Sequence, residues 1–386
     1  MKRRQLFAAG LALLAVSVVV ALPLAAQLQQ ETVDLSAMVK IREEGLQRSK
    51  VMETASYLTD VFGPRLTNSP NIKAAAQWTT KKMTEWGLTK VNLEPWGPFG
   101  RGWSNERMYI AMVKPYAFPL IGYSRAWTPS TNGTVKGDVV LAVINTPEDA
   151  EDCRGKLRGK FVMTTPASNL QAQFRAPGSR MTDEQLEAMA NPQQRGGRGG
   201  QGQGRGNAAP APVPAKLPGQ LCGGMLPAPQ PARGQQQTQA QQNFPAQRNK
   251  FYLDEGVLSL VAPGNPVGVA GGTVFVQSGG NRGVNDPPVP AQVALAPEHY
   301  GLLIRNVEKG VPVSLELNME NKFYDDDLNS FNVVGEIAGT DKADEVVMLG
   351  AHFDSWHTGT GATDNAAGSA VMLEAMRILK LSLIHI

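Results

Sequence analysis

The sequence predicts an α/β fold in which an open sheet is interrupted by a β-rich module. Three observations lead to this prediction. Residues 346–351 are apolar at successive positions, as in a parallel strand that is buried on both faces. A glycine-containing loop and an amphipathic segment over 365–380 follow, which completes a strand–loop–helix unit. Between residues 126 and 320, short β-rich runs bounded by Gly, Pro or Asn replace this pattern.

The pattern in residues 27–125 is helical first and then extended. Apolar residues recur on one face over 51–62 and again over 72–86, which predicts two helices. Gly87 can end the second of them. Strands are predicted at 91–93 and, beyond the β-rich module, at 331–337 and 346–351.

The β-rich module, residues 126–320, has the alternation and the turn residues of short strands. Strands are predicted at 138–144, 160–164, 257–261, 273–277 and 313–317, and a helix at 298–308. A stretch of Gln, Gly, Pro and Arg over 170–248 interrupts the module. Such a composition buries too little apolar area to offset the entropy of ordering, so we expect the stretch to be largely without regular structure and to be cleaved early by proteases. Its Arg-Gly-Gly repeat is typical either of RNA contact or of a solvated loop, and export of the chain favours the loop.

The N-terminus has the features of an export signal. Basic residues at 2–4 precede an apolar run over 6–24, and small residues follow at 25–26. We expect residues 1–26 to be a signal peptide and the mature chain to be periplasmic or extracellular. An uncleaved anchor is the alternative, and it would be the only link to a membrane. The small net charge of +3 gives no indication of a nucleic-acid partner.

Cys153 and Cys222 are the only cysteines, and neither lies in a Cys-x-x-Cys pair. A structural zinc site with four ligands is therefore excluded. Export would permit a disulfide between the two cysteines, but the low-complexity segment that separates them leaves free thiols equally open.

The residues with the clearest chemical meaning lie in the loop after the predicted strand 346–351. His352 and Asp354 form a His-x-Asp pair, and Asp364 follows at the start of the next helix. Ligands of open α/β sheets bind at this end of the strands. A neutral imidazole and a carboxylate are zinc ligands, Asp354 could orient the ring of His352, and Asp364 has two oxygens with which to bridge two metals. Local spacing alone leaves metal binding and simple capping of the helix by Asp364 equally open.

Competing motifs in the same loop are incomplete. Gly359-Thr-Gly361 lacks the Lys-Ser/Thr of a phosphate-binding loop and the third glycine of a dinucleotide site. His352 and His357 are five positions apart with no glutamate in the required place, so the His-Glu-x-x-His pattern is absent. We expect His357 to be an exposed loop residue, and His299 in the β-rich module to have no catalytic role.

Residues 350–368 resemble the co-catalytic zinc exopeptidases, the family that includes leucyl aminopeptidases and glutamate carboxypeptidases. Further segments fit the same family: Phe62-Gly-Pro-Arg-Leu, Gly87-Leu-Thr-Lys-Val-Asn-Leu-Glu-Pro, Arg158-Gly-Lys and Ser330-Phe-Asn-Val-Val. The resemblance extends over residues 50–380, apart from the low-complexity stretch.

The resemblance implies a fold and a site. The fold is the three-layer α/β sheet of zinc exopeptidases. Residues 27–125 would be the N-terminal part of the peptidase domain, the β-rich module would be an inserted protease-associated domain, and residues 321–380 would start the zinc catalytic domain. His352 would bind one of two zinc ions, Asp364 would bridge both, and Asp354 would orient His352. Relatives often have a cis peptide bond at the position of Asp364–Asn365.

The implied function is zinc-dependent exopeptidase activity on dipeptides or short peptides. The enzyme would be either a carboxypeptidase or dipeptidase, or an aminopeptidase. A protein of a different class, a non-catalytic binding module of the protease-associated type, stays open as well. Small peptides are the expected partners, and the sequence leaves a homodimer open.

The resemblance also implies that the chain is only part of the enzyme. In the family, the general base and the remaining metal ligands follow the helix over 365–380, and this chain has none of them. Glu374 lies mid-helix, on the order of 15 Å from the site at ~1.5 Å per residue. Residues 381–386 lack a cap and resemble foreign sequence, so His385 is not counted as a ligand. We therefore expect this chain by itself to be inactive, with an incomplete sheet whose unpaired edge invites aggregation.

Overall fold

A computed structural model of the chain describes residues 34–168, 170, 174, 180–190, 215–225, 239–264, 274–340 and 343–383. The predicted signal peptide, most of the low-complexity stretch and residues 384–386 of the predicted tail lie outside these ranges. Within the ranges, no helix combines the length and the apolar character that crossing a bilayer requires.

Three helices open the described chain, five strands follow them, and helices and strands are mixed after that. The helices are α1 (Leu35–Gln47), α2 (Val51–Ser56, continued by a π-helical turn over Tyr57–Val61), α3 (Pro70–Glu85), α4 (Pro147–Cys153), α5 (Asp183–Ala190), α6 (Gln239–Glu255), α7 (Pro297–Glu308) and α8 (Ala367–Leu383). The strands are β1 (Thr89–Trp96), β2 (Gly102–Lys114), β3 (Phe118–Pro119), β4 (Gly122–Ser124), β5 (Thr134–Val143), β6 (Phe161–Met163), β7 (Gln220–Gly223), β8 (Ser259–Pro263), β9 (Gln292–Leu295), β10 (Ser314–Tyr324) and β11 (Ser330–Glu336). A second π-helical turn, Ala362–Ala366, precedes α8.

The second predicted helix is confirmed as α3, which packs on a small sheet of β1 and β11. Ser69 caps its N-terminus by accepting the Ile72 N–H at 3.4 Å. β1 and β11 pair antiparallel, with Trp96 and Ser330 opposite each other at one end. The chain therefore leaves this pair and returns to it at the same place, and residues 97–329 form an insertion.

Among the described residues, the insertion is built on one nine-stranded sheet. The strands follow the order β3-β2-β10-β5-β6-β8-β9-β4, and β7 also pairs with β5. β5, β6, β8 and β9 run parallel to one another, whereas β2 and β10 form a long antiparallel pair. The core is an apolar cluster shared by this sheet and α7, in which Phe161, Leu295 and Leu315 are fully buried.

This sheet begins earlier in the chain than the predicted module. β2 pairs with β10 along its length from Gly102 to Lys114, which precedes residue 126. The sequence patterns also missed β9, and the strand predicted at 273–277 is absent from the described residues 274–277. Such patterns are local, whereas a strand forms only where a neighbouring strand supplies hydrogen bonds and packing. Assignment of the insertion to a protease-associated domain stays a prediction.

The prediction of a buried strand at 346–351 is wrong. These residues are not in a strand, and Val346, Val347 and Met348 are 81%, 93% and 84% exposed. A continuous apolar run becomes a parallel strand only when neighbouring strands and helices cover it. No strand in the described part of the chain pairs with this segment.

Regular structure occurs at three places inside the stretch 170–248, which was predicted to be largely without it and most of which lies outside the described residues. α5, β7 and the first part of α6 lie within it. β7 extends the sheet by pairing with β5, and α6 covers the neighbouring apolar cluster with Phe251 and Tyr252. Apolar residues within and just after the stretch therefore form a strand and a helix that pack on the rest of the insertion, although the stretch as a whole is polar.

Cys153 and Cys222 form a disulfide, which decides between the two alternatives that the sequence left open. Cys153 ends α4 and Cys222 lies in β7. Both side chains are buried in one apolar cluster. The bond links β7 to the end of α4 across 69 positions of the chain.

Removal of this disulfide is expected to destabilise the chain. Cys153→Ala combined with Cys222→Ala should lower the free energy of unfolding by about 2–4 kcal/mol, because the cross-link restricts a long loop in the unfolded state. Urea unfolding of the two proteins measures the difference. The wild-type chain with a reductant is the control, since it should unfold like the double variant. Equal midpoints with and without the bond would contradict the expectation.

Candidate metal centre

The imidazole of His352 lies between two carboxylates. Its Nδ1 is 3.1 Å from Asp354 Oδ1, and its Nε2 is 2.9 Å from Asp364 Oδ1. All three side chains line one cavity. The structure therefore brings the predicted site residues together, with one carboxylate on each nitrogen of the ring.

The start of α8 holds the loop that carries these residues. The His352 carbonyl accepts hydrogen bonds from Ser369 Oγ at 3.0 Å and from Asn365 Nδ2 at 3.3 Å. The Asp364–Asn365 peptide bond is cis, as the resemblance implied. Both ends of the loop are thus fixed by the same few residues at the beginning of the helix.

Arg65 organises the middle of the loop, and the sequence motif that contains it did not reveal this role. Its side chain is fully buried, and the guanidinium donates to the carbonyl oxygens of Phe353, Thr360 and Gly361 at 3.1, 3.0 and 3.2 Å. Burial lowers the pKa of Arg65, and the negative charge of Asp354 acts in the opposite direction. The sequence signal that could have indicated this role is an arginine placed between turn residues and a leucine. A buried guanidinium needs several hydrogen-bond acceptors, and the carbonyl oxygens of turns and loops can supply them.

The site opens into a cavity of about 730 Å³, within the ~300–1,000 Å³ range of small-molecule sites. The loop with His352, Asp354 and Asp364 forms one part of the wall, and residues 278–286 of the insertion contribute another. The rest of the wall consists of the apolar and aromatic residues Leu66, Phe99, Trp127 and Trp356 and of the two hydroxyl residues Thr67 and Ser355. Segments that are distant in sequence therefore line one open pocket.

The prediction of an exposed His357 is wrong. Its Nε2 donates to the Ser124 carbonyl oxygen at 2.7 Å, and its ring packs edge-to-face on Trp103 with 5.0 Å between the ring centres. Burial lowers the pKa of His357, and the hydrogen bond to Ser124 opposes this effect. The side chain joins the site loop to the insertion. His299, for which no role was predicted, accepts the Ile121 N–H at 2.8 Å.

The donor atoms at the site fit a zinc ion. Imidazole nitrogen and carboxylate oxygen are both zinc ligands, and a tetrahedral ion would separate them by roughly 3.4 Å. His352 Nε2 and Asp364 Oδ1 are 2.9 Å apart, and 56% and 74% of the two side chains are exposed, so a small rotation of either one is sufficient. No group of three or more His, Cys, Asp or Glu that could hold a metal ion occurs in the described part of the chain.

Glu374 takes no part in this site. Its carboxylate accepts hydrogen bonds from Ser49 Oγ, from the Lys50 N–H and from Arg377. These bonds tie α8 to the start of α2. The arrangement agrees with the expectation that a mid-helix Glu374 is not the general base.

Comparison with known proteins shows that the chain is similar to peptidases. Residues 332–383 match the model of peptidase family M28. Carboxypeptidase Q from Homo sapiens is 24% identical over 352 residues, which cover 89% of this chain and 57% of the human protein. Carboxypeptidase Q from Mus musculus is 34% identical over 94 residues, which cover 24% of this chain and 20% of the mouse protein. The chain thus spans just over half the length of its full-length human relative, and the predicted resemblance to the co-catalytic zinc exopeptidases is confirmed.

Solved structures of peptidases are also similar to the chain. A peptidase M28 precursor from Shewanella amazonensis is 18% identical with a TM-score of 0.49, and the match covers 90% of this chain and 64% of that one. An aminopeptidase from Aneurinibacillus is 14% identical with a TM-score of 0.41, covering 88% and 61%. A zinc aminopeptidase from Bacillus subtilis is 14% identical with a TM-score of 0.42, covering 86% and 57%.

Proposed function

We propose that the whole protein, meaning this chain with any sequence that continues it, is an exported zinc-dependent exopeptidase acting on dipeptides or other short peptides. The observation that carries the proposal is the 2.9 Å approach of His352 Nε2 to Asp364 Oδ1, in a cavity that both parts of the fold line. Similarity to peptidase family M28 and to carboxypeptidase Q supports it.

The residues of the site have distinct tasks in this proposal. Bound zinc would supply Lewis-acid activation of water and of the scissile carbonyl. Asp354 accepts the Nδ1–H of His352, which keeps the Nε2 lone pair free for the metal and fixes the plane of the ring. Asp364 has one oxygen near Nε2 and a second with which it would contact a further ion. The remaining donors and the general base would come from outside the described residues.

Arg282 favours a substrate with a free carboxylate. It lines the cavity, and its guanidinium stacks over the ring of Phe99 at 4.3 Å. It has no ion-pair partner among the described residues. A guanidinium with free N–H groups can form paired hydrogen bonds to a carboxylate, which fits a carboxypeptidase or a dipeptidase.

Asp286 favours the alternative of an aminopeptidase. It lines the same cavity, and its carboxylate could bind a free α-amino group. One of its carboxylate oxygens, Oδ2, already accepts the Gly283 N–H at 2.6 Å. Fewer of its hydrogen-bonding positions are therefore available to a substrate than those of the Arg282 guanidinium. Recognition of the carboxyl end is therefore the first hypothesis, and recognition of the amino end is the second.

Export is part of the proposal. The basic and apolar N-terminal residues have the pattern of a signal peptide, and the Cys153–Cys222 disulfide is typical of an oxidising compartment. A periplasmic or extracellular enzyme would act on small peptides as its partners. The homodimer stays a prediction.

Hydrolysis assays on the whole protein test the function. We expect cleavage of dipeptides with a free carboxylate, loss of activity with a chelator and recovery with zinc. Dipeptide amides and aminoacyl arylamides in the same assay distinguish the two kinds of exopeptidase, since an aminopeptidase accepts them and an enzyme that needs the carboxylate does not. The 386-residue chain alone should show no turnover, because the two ligands found among its described residues fall short of the three that catalytic zinc normally has. Peptide binding without hydrolysis by the whole protein would instead support a non-catalytic module.

A further inference from the structure

Thr67 contacts the site from a segment that the proposed chemistry does not use. Its hydroxyl donates a hydrogen bond to Asp354 Oδ2, since an ionised carboxylate can only accept. The other oxygen of Asp354 faces His352 Nδ1 at 3.1 Å. Thr67, Asp354 and His352 therefore form a continuous chain of hydrogen bonds that ends at the Nε2 atom beside Asp364.

The backbone around Thr67 is held firmly against the site loop. The Arg65 N–H donates to Ser355 Oγ at 2.9 Å, and the Ser355 N–H donates back to the Arg65 carbonyl at 3.0 Å. Leu66, between Arg65 and Thr67, is buried in an apolar cluster. The Thr67 hydroxyl thus reaches the Asp354 carboxylate from a fixed position.

We propose that Thr67 is a positioning residue for the metal centre. An Asp354 carboxylate that was bonded only to the ring could rotate about its Cβ–Cγ bond, and His352 would then lose the partner that orients it. The second bond, from Thr67, removes that freedom and keeps Nε2 directed at the metal side. Outer partners of this kind typically contribute ~10–100-fold to metal affinity or activity. The inference rests on the proposed zinc function and names the residue that sets the geometry of its histidine ligand.

Packing is the competing explanation for Thr67. The residue is half-buried at the cavity wall, so its methyl group alone could account for its place. The two explanations differ in the effect of substitution. Thr67→Val keeps the shape and removes the hydroxyl, whereas Thr67→Ser keeps the hydroxyl and removes the methyl group. A positioning role requires that serine preserves zinc affinity and that valine does not.

Zinc dissociation constants of the whole protein, measured by competition with a chromogenic chelator, test the proposal. We expect Thr67→Val to weaken zinc binding by about 10-fold or more and Thr67→Ser to weaken it by less than about threefold. The matched control is Thr79→Val, which removes a buried hydroxyl without a hydrogen-bond partner in the described chain and should leave zinc affinity unchanged. In an Asp354→Ala background, Thr67→Val should have no further effect, because it acts through Asp354.

Several results would overturn the proposal. One is an unchanged zinc affinity in Thr67→Val. Another is an equal loss of zinc affinity in Thr67→Ser and Thr67→Val. The third is a double variant in which the losses of zinc affinity from Thr67→Val and Asp354→Ala add up. If Thr67→Val does not fold, Thr67→Ala allows the same comparison with serine. Absence of zinc binding by the wild-type protein would overturn the proposed function and this inference with it, whereas the other results leave the function intact.

Discussion

Replacement of His352 by alanine is expected to reduce the proposed zinc-dependent hydrolysis by the whole protein on the order of 10³-fold or more. A bound metal contributes several kcal/mol to a hydrolytic transition state, and each ~1.4 kcal/mol is a factor of ten in rate. The ring supplies one of the two donor atoms that meet at the site, and the other comes from Asp364. Measurement of kcat/KM for a dipeptide together with zinc content per molecule shows whether the loss of activity follows the loss of metal.

His299→Asn is the matched control for that variant. Asparagine can accept the Ile121 N–H in place of His299 Nδ1, a bond of 2.8 Å. His299 does not line the site cavity, so zinc content and activity should stay at the wild-type level. A His352→Ala protein that keeps its zinc, or that loses zinc and keeps its activity, would contradict the assignment of His352.

Replacement of Glu374 by alanine is expected to cause the largest loss of stability, about 3–5 kcal/mol, because it breaks a buried ion pair. Glu374 and Arg377 are only 5% and 6% exposed, and their charged groups are 2.8 Å apart. The Glu374 carboxylate also accepts the Lys50 N–H at 2.8 Å and the Ser49 hydroxyl at 3.0 Å. Among the described residues, the substitution leaves Arg377 with the Glu44 carboxylate at 3.4 Å and the Arg48 carbonyl oxygen at 3.2 Å, and it loosens α8 from the start of α2.

The same carboxylate makes stability depend on pH at the acid end. Burial raises the pKa of Glu374, but hydrogen bonds from Arg377, Lys50 and Ser49 outweigh burial, and the pKa lies below its ordinary value. The stabilisation is therefore complete above the unfolded-state pKa, about 4.3 for glutamate, and is lost as the pH falls through the folded-state pKa. The urea midpoint of the wild-type chain should fall more steeply at acid pH than that of Glu374→Ala.

Glu43→Ala is the matched control for stability, because it removes an exposed partner of Arg48 at the end of α1. Exposed ion pairs contribute little to stability, so its urea midpoint should match that of the wild-type chain at neutral and acid pH. Equal midpoints for wild type and Glu374→Ala at neutral pH would contradict the argument from the buried pair. Parallel acid profiles would contradict the argument from the pKa.

Local sequence was sufficient wherever one segment contains its own signals. α3 follows from apolar residues at helical spacing and from its Ser69 cap. α7, predicted from residue 298, begins at Pro297 and ends at the predicted residue. His352, Asp354 and Asp364 lie in a single loop, so their residue types and spacing left a metal centre and a simple helix cap open, and the resemblance to zinc exopeptidases favoured the metal centre.

The tertiary structure decided everything that depends on which distant segments meet. Arg65 and Thr67 hold the site loop from 288 and 287 positions away, and His357 bonds to Ser124 across 233 positions. Periodicity could not identify these partners, because it indicates which face of a segment is buried and not what buries it. For the same reason the apolar run at 346–351 predicted a strand, although a strand forms only beside a partner that shares its hydrogen bonds. The sequence by itself determined the residue types of the candidate site, and the folded chain determined their orientation, because side-chain direction depends on contacts that lie outside the loop.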